Sequence, residues 1–318
     1  MIQIKNEFFE LCGKKIIPGQ KIKFLYDFSS LFTRRKLKIP IHVFHGLNPG
    51  PKLFIFSTLH GDELNGIEIV NRLHKHAALE QLSGTLITVP VANPYGLMLQ
   101  TRNIKNRDLN RSFPGGENGS LASRLTYFYT NEIVKKCHYG IDLHSGGRCL
   151  FNFPHVRISK SSDAKTLAKE FGVPILGTPV PNKSLRKIAL EQHIPLLVFE
   201  GGEAQRLNED CIEIGLQGIL NILSHLNMIG PEWKTLNTFF SQYYSATKWI
   251  RAPVSGLLKT NKNLISSIIK DQILAELSDP FDIEKPINVL ATCDGIIFAK
   301  TTEPMVNEGD PLFHVCMR

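Results

Sequence analysis

A histidine and a glutamate stand three residues apart in Ser57-Thr58-Leu59-His60-Gly61-Asp62-Glu63, directly after an apolar run and ahead of a stretch of helical period. One turn of chain at that spacing can bring an imidazole and a carboxylate to a common metal ion. In a chain with 11 His and 29 acidic residues a pair at this spacing also arises by chance, so position has to supply the rest. A second histidine, His144 in Ile141-Asp142-Leu143-His144, and a further acid, Glu200 in Phe199-Glu200-Gly201-Gly202, also follow apolar runs of strand length. In an open α/β sheet the C-terminal ends of the strands border the ligand crevice. Two imidazoles and one carboxylate that leave a position for water match a catalytic zinc site better than a closed structural one, and zinc would bring the pKa of that water toward neutrality. Glu200 is then the candidate base that takes the water's proton and passes it to a leaving amine. Asp142, two residues before His144 and so on the same strand face, would hold the far nitrogen of a ligand histidine. A single His or Glu at a strand end is more often a structural hydrogen-bonding group; three strand ends supplying His, His and Glu shift the balance toward the metal.

Between these positions, Thr101 to Gly115 is dense in Arg and Asn, with Arg102, Arg107, Asn110 and Arg111 in one apparent loop. A guanidinium fork suits carboxylates and an Asn amide adds a donor, although the same composition also describes an ordinary exposed loop.

The elements that must carry these groups follow from periodicity. Leu53 to Ser57, Leu86 to Val89, Tyr139 to Leu143 and Pro195 to Phe199 read as buried strands. Helical period marks Asp62 to His74, Leu121 to His138, Ser162 to Phe171, Ser184 to His193 and Cys211 to Met228. This alternation predicts a mainly parallel sheet with helices on both faces over residues 1–235, with edge strands and turns before residue 53. After Gly230-Pro231 the character turns to β. Residues 236–318 hold an internal echo at an offset of 39, in which Ala252, Gly256 and Asp271 match Ala291, Gly295 and Asp310. Two similar strand sets predict a small β-sandwich or barrel resembling a biotinyl or lipoyl carrier domain. Lys285, in Glu284-Lys285-Pro286, lacks the flanking methionines of a biotin site, so a structural or lid role is the better reading.

Composition narrows the classes. The 318 residues are 42% hydrophobic, which suffices for a sizeable core, and the apolar runs are far shorter than the roughly 18 residues of a membrane span. No secretory signal is visible, which favours the cytoplasm. Six scattered cysteines without a C-x-x-C pair argue against a disulfide framework and a cysteine zinc site. The net charge of +8 thickens around Arg34-Arg35-Lys36 without the aromatics or helix-turn-helix spacing of a nucleic-acid face, and would equally steer an anionic small substrate.

His60-Gly61-Asp62-Glu63, Asp108-Leu109-Asn110-Arg111-Ser112-Phe113-Pro114-Gly115, Asp142-Leu143-His144 and Glu200 resemble the motifs of the succinylglutamate desuccinylase and aspartoacylase family, relatives of the zinc carboxypeptidases. The four motifs occur in family order and cover most of residues 50 to 230. The resemblance implies one Zn2+ per chain on His60, Glu63 and His144, with Glu200 as general base. It also implies Asn110 and Arg111 on a substrate carboxylate and an upstream arginine at the oxyanion. Arg102 suits the family spacing better than Arg107, which stays as a further substrate-binding candidate. The C-terminal β domain of the family packs beside the active-site mouth and often supplies a tyrosine, for which Tyr243 and Tyr244 are the candidates. The expected activity is hydrolysis of the amide of a small anionic N-acyl amino acid, with no nucleic acid or membrane as partner and a homo-oligomer left open. A metallocarboxypeptidase acting on small peptides would use the same metal and base. A non-catalytic binding or carrier protein built on the C-terminal domain is the reading from a different class.

Overall fold

The computed structural model describes residues 6–30, 33–147, 149–159, 164–235 and 241–317. In chain order the first part contains β1 (Phe9–Leu11), β2 (Lys14–Ile16), β3 (Lys21–Ser30), β4 (Lys36–His45), β5 (Asn48–Ser57), α1 (Asn65–Lys75) and β6 (Ser83–Val89). It continues with α2 (Pro94–Leu99), α3 (Leu121–Phe128), β7 (Tyr139–Gly146), β8 (Leu150–Ser159), α4 (Lys165–Phe171), β9 (Ile175–Thr178), α5 (Leu185–Glu191), β10 (Leu196–Glu203) and α6 (Glu209–His225). The main sheet runs β8-β10-β7-β5-β6-β4-β3 in space. Its centre, β10, β7, β5 and β6, is parallel; β8 runs antiparallel to β10, and β4 and β3 are antiparallel to their neighbours. The sheet is therefore mixed, with the parallel strands in the middle.

Period-2 alternation divides the strands between two cores. Leu53, Ile55, Ile141, Leu143, Leu197 and Phe199 face α1, α4 and α6. Phe54, Phe56, Leu196 and Val198 face the layer of α3 and α5. His144 and Glu200 continue the second parity and are direct register partners on β7 and β10, so they emerge side by side on one face. Gly140 has its place here: a Cβ would sit 2.3 Å from the ring of Phe54, which fills the space across that face.

Three helices differ from their periodicity. The first begins at Asn65 rather than Asp62, which leaves His60 to Leu64 as a turn. The segment from Leu121 is α-helical only to Phe128, then passes through one π turn and one 3-10 turn to Lys136. For the helix expected from Ser162, the described part starts at Lys165, and Ser162 itself lies outside the described residues. No helix among the described residues is long and apolar enough to cross a membrane.

The C-terminal part contributes β11 (Tyr243–Tyr244), β12 (Thr247–Arg251), β13 (Gly256–Lys259), β14 (Ser267–Ile268), β15 (Ile273–Ser278), β16 (Ile287–Leu290), β17 (Gly295–Thr301), β18 (Met305–Val306) and β19 (Pro311–Met317). The 39-residue echo is a structural repeat. Strands β12 to β15 correspond to β16 to β19, and the halves exchange partners: β12 pairs β19 while β15 pairs β16, and β13 pairs β18 while β14 pairs β17. Ile250, Leu274, Leu277, Val289, Ile297 and Phe313 share the core that this exchange closes. The division expected at 235/236 touches residues outside the described ones, and the sheet does not stop there. Strand β17 pairs β8, with Ala299 opposite Asn152 and Thr301 opposite Leu150, so β17, β19 and β12 extend the main sheet. Lys285 lies exposed in the segment between β15 and β16.

Phe298 on β17 seals this junction. It is 1% exposed and packs against Tyr244, His155 and Phe153, with ring centroids at 5.2, 5.9 and 6.1 Å. Phe298→Ala should lower stability by about 3–5 kcal/mol, read from urea denaturation with the wild type alongside. A loss below about 1 kcal/mol would show that the junction tolerates the cavity and does not depend on this ring.

Candidate active site

Beyond the end of β5, Thr58 takes a left-handed φ of 59°, and the turn His60–Glu63 closes with the Glu63 amide donating to the His60 carbonyl at 3.2 Å. Gly61 lets the turn lie against another segment: a Cβ there would meet the Gly96 carbonyl carbon at 2.0 Å. Because α1 starts only after this turn, the Glu63 side chain is free to point back under the sheet ends. Its Oε1 lies 2.7 Å from His60 Nδ1 and its Oε2 lies 2.8 Å from His144 Nδ1, and Oε2 also accepts from the Ser145 amide at 3.0 Å. All three side chains are buried, and one donor atom from each falls within 4.8 Å of the others.

The far nitrogen of each imidazole is also held. Asp142 Oδ2 lies 2.8 Å from His144 Nε2, as the strand parity predicts, and Asp108 Oδ1 lies 3.2 Å from His60 Nε2. Asp108 has no assigned role in the sequence reading beyond its place in the motif. Its other oxygen binds Arg102 twice, at 3.1 Å from Nε and 2.9 Å from the second terminal nitrogen. Charge organises this cluster. Burial would push His144 down, but Asp142 and Glu63 outweigh it and hold the imidazole well above its ordinary value. Burial likewise opposes ionisation of Glu63, and His60 with His144 reverse this to keep the carboxyl well below its usual range. Two imidazoles whose inner nitrogens converge on one carboxylate, with their outer nitrogens anchored on aspartates, match the type of donor set that can hold a metal ion. The residues present therefore fit a metal ion.

The triad borders a cavity of about 540 Å³. Glu200 faces it from β10, its Oε2 accepting from Asn152 Nδ2 at 2.9 Å and its Oε1 ion-paired with Arg157 at 3.5 Å. Arg102 projects into it with one terminal nitrogen 3.2 Å from His60 Nδ1. Asn110 and Arg111 also line it, in a single 3-10 turn, Leu109–Arg111, whose amide at Asn110 is capped by Asp108 at 2.8 Å. The Asn110 side-chain oxygen Oδ1 accepts from the Leu185 amide at 2.9 Å, which leaves the side-chain NH2 group as the donor toward the cavity.

Three candidate residues fall outside. Arg107 is exposed and lines a smaller neighbouring cavity, because Ile104 is buried and the paired Ile104–Arg107 turn sends the Arg107 side chain outward. Tyr243 and Tyr244 lie away from the pocket as well. Their short strand pairs β9, with Tyr244 buried against Leu176, Phe298 and Cys316 and the Tyr243 hydroxyl packed over Gly177. The aromatic residue that the C-terminal part places in the cavity wall is Trp249 on β12, stacked on His314 at 4.3 Å. Sequence reasoning also missed Arg157 and Arg186. Arg186 donates to Thr178 Oγ1 at 2.8 Å and the Pro179 carbonyl at 2.9 Å, and burial, with Arg157 next in effect, pulls its pKa down to about 10.

Fold and site together define a class: an α/β protein with a candidate metal centre at the ends of its central strands. The chain belongs to the succinylglutamate desuccinylase/aspartoacylase family, whose catalytic-domain model matches residues 49–226. This is a family of N-acyl amino acid deacylases. The chain is 27% identical to the N-alpha-acetyl-L-2,4-diaminobutyric acid deacetylase of Halomonas elongata over 280 residues, 83% of this chain and 81% of the relative. Among solved structures it shares its fold with a product-bound ectoine utilization protein EutE (DoeB) from Ruegeria pomeroyi, at a TM-score of 0.83 and 20% identity, covering 99% of this chain and 100% of the other. It is also similar to a succinylglutamate desuccinylase/aspartoacylase from Rhodobacter sphaeroides, at 0.81 and 22%, covering 93% and 95%.

His60→Ala and His144→Ala each remove one donor from the triad and leave Glu63 short of a partner. Protein loaded with zinc and then desalted should retain about one equivalent in the wild type and a small fraction of that in either variant. Full retention by one variant in elemental analysis would take that residue out of the metal site.

Proposed function

We propose that the chain is a zinc-dependent deacylase that hydrolyses the amide bond of a small N-acyl amino acid bearing a free carboxylate. The observation that carries this reading is the content of one cavity: the His60–Glu63–His144 triad, the Glu200 carboxylate beside it, and two guanidiniums, Arg111 and Arg186, that make no ion pair among the described residues. When bound by the triad, zinc would acidify a water molecule and polarise the carbonyl of the scissile amide.

The chain's own groups account for the rest. Glu200 takes a proton from the attacking water as its oxygen bonds to the carbonyl carbon. It then gives that proton to the amide nitrogen as the C–N bond breaks, which releases the amine and regenerates the carboxylate. Arg102, fixed by two bonds from Asp108, offers an N–H beside the triad to the carbonyl oxygen while negative charge builds there. Asn110, held as a donor by Leu185, joins Arg111 and Arg186 on the substrate carboxylate, and Trp249 closes the wall on the C-terminal side. N-acetyl-L-2,4-diaminobutyrate, named for the Halomonas relative, is the first substrate to try, in a panel with other N-acyl amino acids and short peptides. Released amine reads the reaction, and cleavage of the peptides alone would replace deacylation with carboxypeptidase activity.

Glu200→Gln keeps shape and removes the base, so turnover should fall by roughly 100-fold or more while zinc content stays unchanged. Wild-type turnover in this variant would move the base to another residue. Arg111→Ala should lower kcat/KM by roughly 10- to 150-fold, the range of a charge-assisted contact. Converting the substrate carboxylate to an amide should give the wild type a similar loss, and the two losses should not multiply when combined, because either alone breaks the pair. Equal hydrolysis of acid and amide by the wild type would end the clamp assignment.

A further inference from the structure

Strand β8 runs antiparallel to β10 and sets His155 directly opposite Glu200, with Arg157 opposite Val198 on the same face. His155 is fully buried, and its Nδ1 lies 2.6 Å from the Phe153 carbonyl, a group that can only accept. Nδ1 therefore carries the proton, and Nε2 is left as an acceptor. It receives the Arg157 Nε–H at 3.2 Å. Burial, with Arg157 next in effect, holds His155 well below its ordinary value, which keeps the ring neutral and Nε2 able to accept. The guanidinium fixed in this way turns a terminal nitrogen to Glu200 Oε1 at 3.5 Å. That distance is an ion pair and longer than a hydrogen bond, and no hydrogen bond reaches Oε1 among the described residues. The other oxygen of Glu200 is occupied by Asn152 at 2.9 Å.

We infer that Arg157, locked by His155, is a positioning residue for Glu200: with Asn152 it fixes the carboxylate so that Oε1 is the oxygen that handles the proton. The assignment rests on the reading of Glu200 as the base. It separates the guanidiniums of the cavity by task. Arg111 and Arg186 have no acid partner among the described residues and are available to a substrate carboxylate, whereas Arg157 is spent on the enzyme's own acid. It also gives a function to a fully buried histidine outside the metal site.

The test measures kcat and KM separately for Arg157→Ala, Arg157→Lys, His155→Phe and His155→Gln on one accepted substrate, with Arg157→Ala repeated in the Glu200→Gln background. Arg157→Ala should lower kcat by roughly 10- to 100-fold with KM little changed, and should cost little more once Glu200 is already Gln. Added guanidinium ion should restore part of the rate to Arg157→Ala and none to Glu200→Gln, and Arg157→Lys should keep an intermediate rate. His155→Phe, which cannot accept from Nε, should lower kcat, while His155→Gln, which can, should keep most of it. A raised KM with unchanged kcat in Arg157→Ala, or losses that multiply with Glu200→Gln, would overturn the inference and make Arg157 a substrate contact. Wild-type rates in His155→Phe would remove the lock. Near-wild-type turnover of Glu200→Gln by itself would instead overturn the base, and the inference with it.

Discussion

The structure depends on one buried carboxylate caught between two imidazoles. Glu63 is 2% exposed, and a charge in that position is costly unless opposite charge and hydrogen bonds surround it. His60, His144 and the Ser145 amide supply them, the first from the turn after β5 and the other two from the end of β7. The turn after β5 has to be tight, α1 has to begin late, and β7 has to continue past Leu143 through His144 and Ser145 for the contacts to form. Asp108 and Asp142 extend the same balance outward by holding the far nitrogens. Removing one partner leaves the buried Glu63 charge with less compensation.

A second balance lies across the cavity, and it ties the central sheet to the C-terminal strands. Glu200 is held by Asn152 and Arg157 from β8, and β8 is held in turn by β17 from the C-terminal part. Thr302 donates from its amide and hydroxyl to the Cys149 carbonyl at 2.7 and 2.9 Å, which fastens the start of β8 at the cavity rim. His314 and Trp249, from β19 and β12, pack as a stacked pair beside the same site. The C-terminal strands are therefore buttress and wall of the cavity rather than an appended module. The repeat within them builds a core from two short sequence copies that neither copy could close alone.

That His60, Glu63, His144 and Glu200 meet around one cavity was legible in the sequence: His60, His144 and Glu200 follow runs of strand type, strand ends in such sheets converge on one crevice, and Glu63 stands one turn from His60. The 39-residue echo was legible for a similar reason: small and turn residues recur at fixed places. The opposing strand β8 was not. Pro154 interrupts its pattern, and a proline inside an apolar run argues against a strand unless a bulge accommodates it; here it sits where the β10 ladder shifts register between Glu200 and Gly202. Asn152, His155 and Arg157 were lost with that strand. Arg186 follows a helix cap and looks like an ordinary surface residue until the fold half-buries it at the cavity wall. Arg107 and Arg102 look alike in the sequence, but the buried Ile104 between them turns Arg107 outward while two bonds to Asp108 hold Arg102 beside His60. Tyr243 and Tyr244 failed for a comparable reason: they pair β9 and fill the junction, and the aromatic position at the cavity belongs to Trp249.

The measurement that bears most directly on the central claim is zinc-edge X-ray absorption on the loaded protein, which reads the ligand atoms without any substrate or variant. The triad predicts nitrogen and oxygen neighbours at about 2.0–2.2 Å, with imidazole scattering from two histidines and no sulfur. A sulfur shell near about 2.3 Å, or a first shell without imidazole, would place the metal on other residues and contradict the account.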